Sequence, residues 1–244
     1  MAFHHGPFSS DRTIAITENL VFYVHPGSTS SWPGSGTTWY DISNNSNNVT
    51  LINQEGGLDG EAFSHNGLNQ YGTMNGFAGV LSTGDAFTIS IWFYSNSGTT
   101  AYKYSRQLWS CHDSSYNNKA RVALNCVNGG TGYFVPGEWD SQVDDTVGST
   151  SYRDSTWHNL TITRPAGSNQ TGTWRTDGSS DGTKIINPPW DDVAYVSIAQ
   201  EWDGGPTVSD VWQGWIGSIA IYNTALSAVE ISQNFEIQRG YYGV

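Results

Sequence analysis

Residues 86–95 read "AFTISIWFYS". Successive side chains of a strand alternate between its faces, so Phe87, Ile89, Ile91 and Phe93 share one face while Thr88, Ser90, Trp92 and Tyr94 share the other. Both faces carry large apolar groups. Such a strand needs a cover on each side, a second sheet on one and a further layer on the other. The same alternation runs through "NLVFYV" (19–24), "HNLTITR" (158–164), "VAYVSIAQ" (193–200) and "GWIGSIAIYN" (214–223). Turn-forming clusters lie between them: "NNSNN", "NQEGG", "SNSGTT", "TDGSSDG", "NPP" and "DGGP". Many strands joined by polar loops predict an all-β fold, a two-sheet antiparallel sandwich of the jelly-roll kind.

One stretch breaks the pattern, "LSAVEISQNF" at 226–235. Ser227 fits an N-cap, with Glu230 three residues on, the two halves of a capping box. Leu226 before the cap and Ile231 at N4 form a hydrophobic staple. Ile231 and Phe235 are i and i+4, so one face is apolar. A single short helix is marginal in water, so this one is expected to dock on a sheet near the C-terminus. It holds no nucleophile, base or ligand pair, and its role is structural.

The chain has 244 residues, enough for one large β domain. Its net charge of -12 would repel a phosphate backbone, which argues against nucleic-acid partners. No stretch is long and apolar enough to insert in a membrane. "MAFHHGPFSSDR" has no basic segment followed by an apolar one, so no signal peptide is expected. Cys111 and Cys126 both fall in expected strands, and the sequence leaves open whether they pair across a hairpin.

Three oxygen-rich loops each carry a Trp: "EWDSQVDD" (138–145), "PPWDDV" (188–193) and "EWDGG" (201–205). Sugar sites pair an aromatic platform with polar groups that fix hydroxyls. Trp139 with Asp140, Trp190 with Asp191, and Trp202 with Asp203 are therefore the carbohydrate-binding candidates. With 11 Trp in the chain, most must be core. Ca²⁺ is satisfied by several carboxylate and carbonyl oxygens, which makes Asp140 and Asp203 the candidate metal ligands, although no cofactor is required. The six His are scattered without a His-x-x-x-His pair, and neither a Gly-x-Ser-x-Gly elbow nor a phosphate loop occurs. Retaining glycosidases need two carboxyls about 5–5.5 Å apart. The two Glu-x-Asp segments, at Glu138 and Glu201, lack a following Glu, so no catalytic residue is assigned and no enzyme is expected.

Several segments carry a family resemblance. "GSIAIYNTALSAVEISQNF" resembles the closing strand and helix of laminin-G-like domains in the concanavalin A-like lectin/glucanase superfamily. "TWHNLTITR" (156–164) is similar to that family's Trp-His strand, "TWRTDGSSDG" (173–182) to its Asp-Gly hairpin, and "AFTISIWFY" (86–94) to its central strand. "WPGSGTTWYDISNNSNNVTL" (32–51) is similar to a segment of bacterial and phage members, especially structural proteins of marine tailed phages. The chain departs from that pattern at His25, where Asp is common, and within "FSHNGLNQYGTM" (63–74), where Asp-Gly is usual. The resemblance implies a concanavalin A-like jelly roll over 19–244 with one short C-terminal helix, preceded by an arm, 1–18, whose Phe3 and Phe8 are candidates for docking on a virion partner. It further implies a non-enzymatic phage virion protein, a capsid decoration or a tail or fibre component. Such a protein is assembled in the host cytoplasm, contacts capsid or tail proteins and host-surface glycans, and is open to homo-oligomerisation. The alternatives are a secreted or cell-surface lectin module and a glucanase-type hydrolase.

Overall fold

The computed structural model describes residues 13–54, 58–59, 61–75, 81–95, 106–125, 131–136, 146–152, 154–186 and 190–244. The strands of the first half are β1 (Leu20–Val24), β2 (Thr38–Trp39), β3 (Val49–Ile52), β4 (Leu58–Asp59), β5 (Ala62–Asn66), β6 (Tyr71–Asn75), β7 (Phe87–Ser95), β8 (Arg106–His112) and β9 (Asn118–Asn125). They continue as β10 (Thr131–Pro136), β11 (Thr146–Ser151), β12 (Trp157–Arg164), β13 (Thr171–Thr176), β14 (Ser179–Ile185), β15 (Tyr195–Ile198), β16 (Glu201–Trp202), β17 (Val208–Ser209) and β18 (Gln213–Tyr222). A 3-10 turn covers Trp190–Asp192, and the helix α1 covers Ala228–Tyr242.

Among the described residues the strands form two large antiparallel sheets and one small ribbon. The first sheet runs β14-β13-β12-β7-β18-β5-β4, with β1 also paired to β18. The start of β18 pairs with β5 (Ile216 opposite Phe63) and its end with β1 (Ile219 opposite Val24). The second sheet runs β11-β10-β9-β8-β15-β6-β3-β2, and β16 and β17 pair as the ribbon. The fold is the expected jelly-roll sandwich.

The core lies between the large sheets. Phe87, Ile89, Ile91 and Phe93 of β7 meet Trp109, Cys111, Val122, Val196 and Ile198 of the second sheet. Cys111 is a buried free thiol whose pKa is pushed up by burial. Cys126 lies outside the described residues. The other face of β7 is covered by α1, as its two-sided apolarity demands. Trp92 stacks on Phe235 (5.5 Å between ring centres) and on Tyr242 (4.4 Å). Its indole N–H donates to Gln238 Oε1 at 2.8 Å, and Gln238 Nε2 donates to the Tyr23 hydroxyl at 3.1 Å. The Ser218 amide donates to the Tyr242 hydroxyl at 2.8 Å, and a Cβ at Gly217 would collide with that ring.

The capping box is present: the Ser227 amide donates to Glu230 Oε2 at 2.7 Å, and the Glu230 amide donates to Ser227 Oγ at 3.3 Å. Leu226 and Ile231 are buried together, completing the staple. The helix runs on past the 226–235 stretch to Tyr242, and Gly243 closes it at φ 72. Its docked face is Ile231, Asn234, Phe235, Gln238 and Tyr242, two of the five carrying polar amides, so an apolar pattern stops short of the true end. Asn234 Oδ1 accepts the Ile16 amide at 2.9 Å and its Nδ2 donates to the Tyr222 hydroxyl. Ile14 is buried against this same cluster, so residues 14–16, assigned above to the arm, pack on the domain. Phe3 and Phe8 lie outside the described residues.

Two motifs of the resemblance have structural reasons. Asp177 (φ 51) and Gly178 (φ 77) form the two-residue turn between β13 and β14, whose positive φ values match the strand twist. Asp41 of "YDIS" is buried, and its carboxylate accepts the amides of Tyr23, Ser43 and Asn47 at 2.9–3.0 Å, organising the loop that follows. Trp92→Ala is expected to cost about 3–5 kcal/mol in urea unfolding, because it removes two ring contacts from a closed layer. Ser227→Ala should cost about 1 kcal/mol. A Trp92→Ala loss below about 1 kcal/mol would mean that α1 is not the cover that β7 requires.

Candidate functional site

A buried polar interface lies where the β16–β17 ribbon crosses the outer face of the second sheet. After β15 the chain turns at Ala199 (φ 69), whose amide donates to the Leu108 carbonyl at 3.1 Å. The next carbonyl, that of Gln200, accepts the hydroxyls of Ser110 and Ser197, each at 2.8 Å. His112 Nε2 lies 2.9 Å from Ser110 Oγ and 3.2 Å from Ser197 Oγ, and the two hydroxyls are 2.7 Å apart. Burial pulls the His112 pKa down to about 3, so the ring is neutral. This Ser–His contact superficially matches a nucleophile and its base. Ser110, His112 and Ser197 are all at 0% exposure, and their hydrogen bonds pin the ribbon rather than activate a nucleophile.

Glu201 follows. It is at 0% exposure, and Arg121 Nη1 of β9 meets its Oε2 at 2.7 Å. Burial raises the Glu201 carboxyl, Arg121 pulls the other way, and the nearby Asp210 carboxyl adds to the rise. The ion pair makes a buried acid tolerable and fixes the ribbon over β9.

Trp202 packs beneath an aromatic group, with ring centres 4.9 Å from His112, 5.3 Å from Tyr116 and 6.2 Å from Tyr195. Tyr116 and Tyr195 are stacked at 4.9 Å with 6° between their planes, and both are half-buried at the surface. Tyr195 stands on β15; Tyr116 stands on the turn between β8 and β9. The Asp113 carboxylate shapes that turn by accepting the amides of Ser115 (2.8 Å) and Asn117 (3.0 Å). Partial burial would raise the Asp113 pKa, but Asn117, Ser115 and Lys119 together hold it down to about 2. Lys119 Nζ lies 3.2 Å from Asp113. Tyr116 itself has φ 65, a conformation that costs a bulky residue roughly 1–2 kcal/mol. The Gly204 amide of the ribbon donates to its carbonyl at 3.2 Å. The neighbouring Tyr195 raises the Tyr116 phenol above its ordinary pKa, keeping it a neutral donor.

The sequence candidates are thus sorted. Trp202 backs the tyrosine pair, and the next residue, Asp203, is exposed, accepting from Ser209 Oγ at 3.1 Å and Asn118 Nδ2 at 3.5 Å. Trp190 belongs to the core: it is 1% exposed, between Phe87 (5.3 Å) and Trp109 (6.1 Å), and has no face for a ligand. Asp191 is exposed and accepts the Thr83 amide at 2.9 Å, away from Trp202. Trp139 and Asp140, like Glu138, lie outside the described residues. Among the described residues no group of three or more His, Cys, Asp or Glu side chains is placed to hold a metal ion. No helix among the described residues is long and apolar enough to cross a membrane.

His158 of the Trp-His strand also lies between carboxylates, with Nδ1 2.8 Å from Asp177 and Nε2 3.1 Å from Asp154. Burial alone would lower its pKa, but Asp177 and Asp154 more than offset that and hold it above the ordinary value. Its contact ties the β13–β14 turn to the start of β12, and its role is structural.

Residues 65–232 match the laminin G family described as the concanavalin A-like lectin/glucanases superfamily, and the chain belongs to it. Solved structures with a similar fold include the binding domain of Paraclostridial Mosquitocidal Protein 1, at TM-score 0.61 and 16% identity over 90% of this chain and 52% of that one. The botulinum neurotoxin serotype D binding domain matches at TM-score 0.63 and 12% identity, over 92% and 53%. Trypanosoma rangeli sialidase in complex with sialic acid matches at TM-score 0.60 and 15% identity, over 91% and 33%. The chain therefore spans about half the length of the toxin domains (52% and 53%) and a third of the sialidase (33%), and at these identities the likeness is one of fold. No curated protein sequence matches the chain.

Arg121→Ala is expected to cost about 3–5 kcal/mol, because it strands a buried acid, whereas the Arg121→Met, Glu201→Met pair should lie within about 2 kcal/mol of the parent. Equal losses in urea unfolding for the single and double variants would refute that account of the ribbon. For His158 the charged form is stabilised by folding. Its contribution is complete below its unfolded pKa near 6.5 and fades as pH rises through the higher folded value. The stability gap between the parent and His158→Gln should be widest below about pH 6.5 and narrow as pH rises through the higher folded value. A gap that widens with rising pH would contradict the assignment.

Proposed function

We propose that the domain is a glycan-binding module that does no chemistry on its ligand, and that it is carried on a phage particle. The observation that carries the binding reading is the Tyr116–Tyr195 pair. Two stacked phenols stand half-buried at the surface on a buried Trp, and the exposed Asp203 that follows that Trp is bonded to Asn118, two residues after Tyr116. Aromatic rings beside hydroxyl-fixing groups are what a sugar ring needs. Tyr116 holds its position at a cost in backbone strain, and strain of this kind gathers at functional sites. The non-catalytic part is supported by Glu201, the ribbon's glutamate, which is fully buried and bound to Arg121 and so out of reach of a glycosidic oxygen.

The phage part rests on the resemblance of residues 32–51 to marine tailed-phage structural proteins. On this reading the protein is a capsid decoration or a tail or fibre component. It contacts virion proteins through its N-terminal arm and turns the ribbon face to host-surface glycans. Mass spectrometry of purified virions, with copy number relative to the major capsid protein, tests the placement. Hundreds of copies mean decoration, a few to a few dozen mean a tail or fibre part, and absence refutes the virion reading.

Tyr116→Asn separates binding from folding. Asn tolerates positive φ, so the variant should melt at or slightly above the parent temperature. Loss of one stacking face should weaken glycan binding about tenfold on a glycan array or by calorimetry. A variant that binds as well as the parent, or that melts well below it, would sink the platform assignment.

A further inference from the structure

The charges around the tyrosine platform select the kind of sugar. We infer that this site takes neutral glycans and discriminates against anionic ones such as sialylated or sulfated chains; the inference rests on the glycan-binding reading above. The cations on β9, the strand that follows the Tyr116 turn, are Lys119 and Arg121. Each is committed, Lys119 to Asp113 at 3.2 Å and Arg121 to the buried Glu201 at 2.7 Å. Neither offers a charge to a ligand carboxylate or sulfate without breaking a contact that shapes the turn or holds the ribbon.

Asp203 is the opposite case. It is exposed, its neighbours Ser209 and Asn118 are neutral donors, and it stands one residue after the Trp202 that backs the platform. An ionised carboxylate only accepts hydrogen bonds. A neutral hexose presents pairs of hydroxyl donors, so Asp203 and the ring faces of Tyr116 and Tyr195 suit it together. A ligand carboxylate or sulfate brought to the same place meets like charge at short range, within a chain of net charge -12. The similar fold of a sialidase that holds sialic acid therefore does not extend to the charge of the ligand here.

The test uses the full chain on an array of matched neutral oligosaccharides and their sialylated and sulfated counterparts. Affinities of the hits are followed by calorimetry at about 0.05 and 0.5 M salt, a range over which exposed charge interactions are largely screened. The expected result is binding to neutral members that does not change with salt, and roughly tenfold or weaker binding to the anionic counterparts at low salt. That penalty should shrink at high salt and in Asp203→Asn. Asp203→Lys should reverse the preference. Anionic glycans binding as well as or better than neutral ones, with that binding lost in Tyr116→Asn, overturns the inference and leaves the glycan-binding reading standing. Binding of neither class overturns both. Discrimination that survives unchanged in Asp203→Asn and Asp203→Lys also overturns the inference, since another group would then set it.

Discussion

A strand with large apolar groups on both faces cannot face water on either, and β7 imposes that constraint on this fold. One face is met by the second sheet, through Phe87, Ile89, Ile91 and Phe93. The other is met by α1, through the stack of Trp92 with Phe235 and Tyr242. The helix is therefore an obligatory third layer over the first sheet. Its capping box and its Gly243 stop fix where it begins and ends relative to Trp92 and Trp157. Ile14 and Ile16 reach the same layer from the other end of the described chain, so both ends are drawn to one cover.

The second sheet has a cover of different chemistry. The β16–β17 ribbon lies on its outer face, held by Gln200, His112, two serines and the Glu201–Arg121 pair, with Trp202 packed against the His112 and Tyr116 rings. A buried ion pair adds little net stability, but removing one partner is costly, so it fixes position more than it adds strength. Position is what the platform needs. Trp202 must lie under Tyr116, and the ribbon's Gly204 must meet the Tyr116 carbonyl, for a tyrosine to stay at positive φ.

The fold was legible in the sequence because its causes are local. Period-two alternation located β7, β12 and β18 to within a residue or two, and Ser227 with Glu230 located the start of α1. The helix end was not legible, because Asn234 and Gln238 are buried through hydrogen bonds and do not continue an apolar stripe. The site was only half legible. The "EWD" segment pointed to Trp202 and Asp203, but an indole in an acidic loop looks the same in sequence whether it is a platform or its foundation. Trp190 shows the hazard, since an equivalent loop residue is core. Tyr116 and Tyr195 were missed because they meet only through the pairing of β8 with β15, across a long separation in sequence. The single local signal was the "DSSYNN" turn, where a Tyr among Asp, Ser and Asn takes a conformation those smaller residues adopt more readily.

The central claim is that ligand meets this protein on the ribbon face of the second sheet. A crystal structure with a neutral oligosaccharide identified by array tests it most directly. The account predicts a sugar ring against Tyr116 or Tyr195 with a hydroxyl donating to Asp203. A sugar bound instead on the outer face of α1, or at any site that leaves both tyrosines untouched, would contradict it.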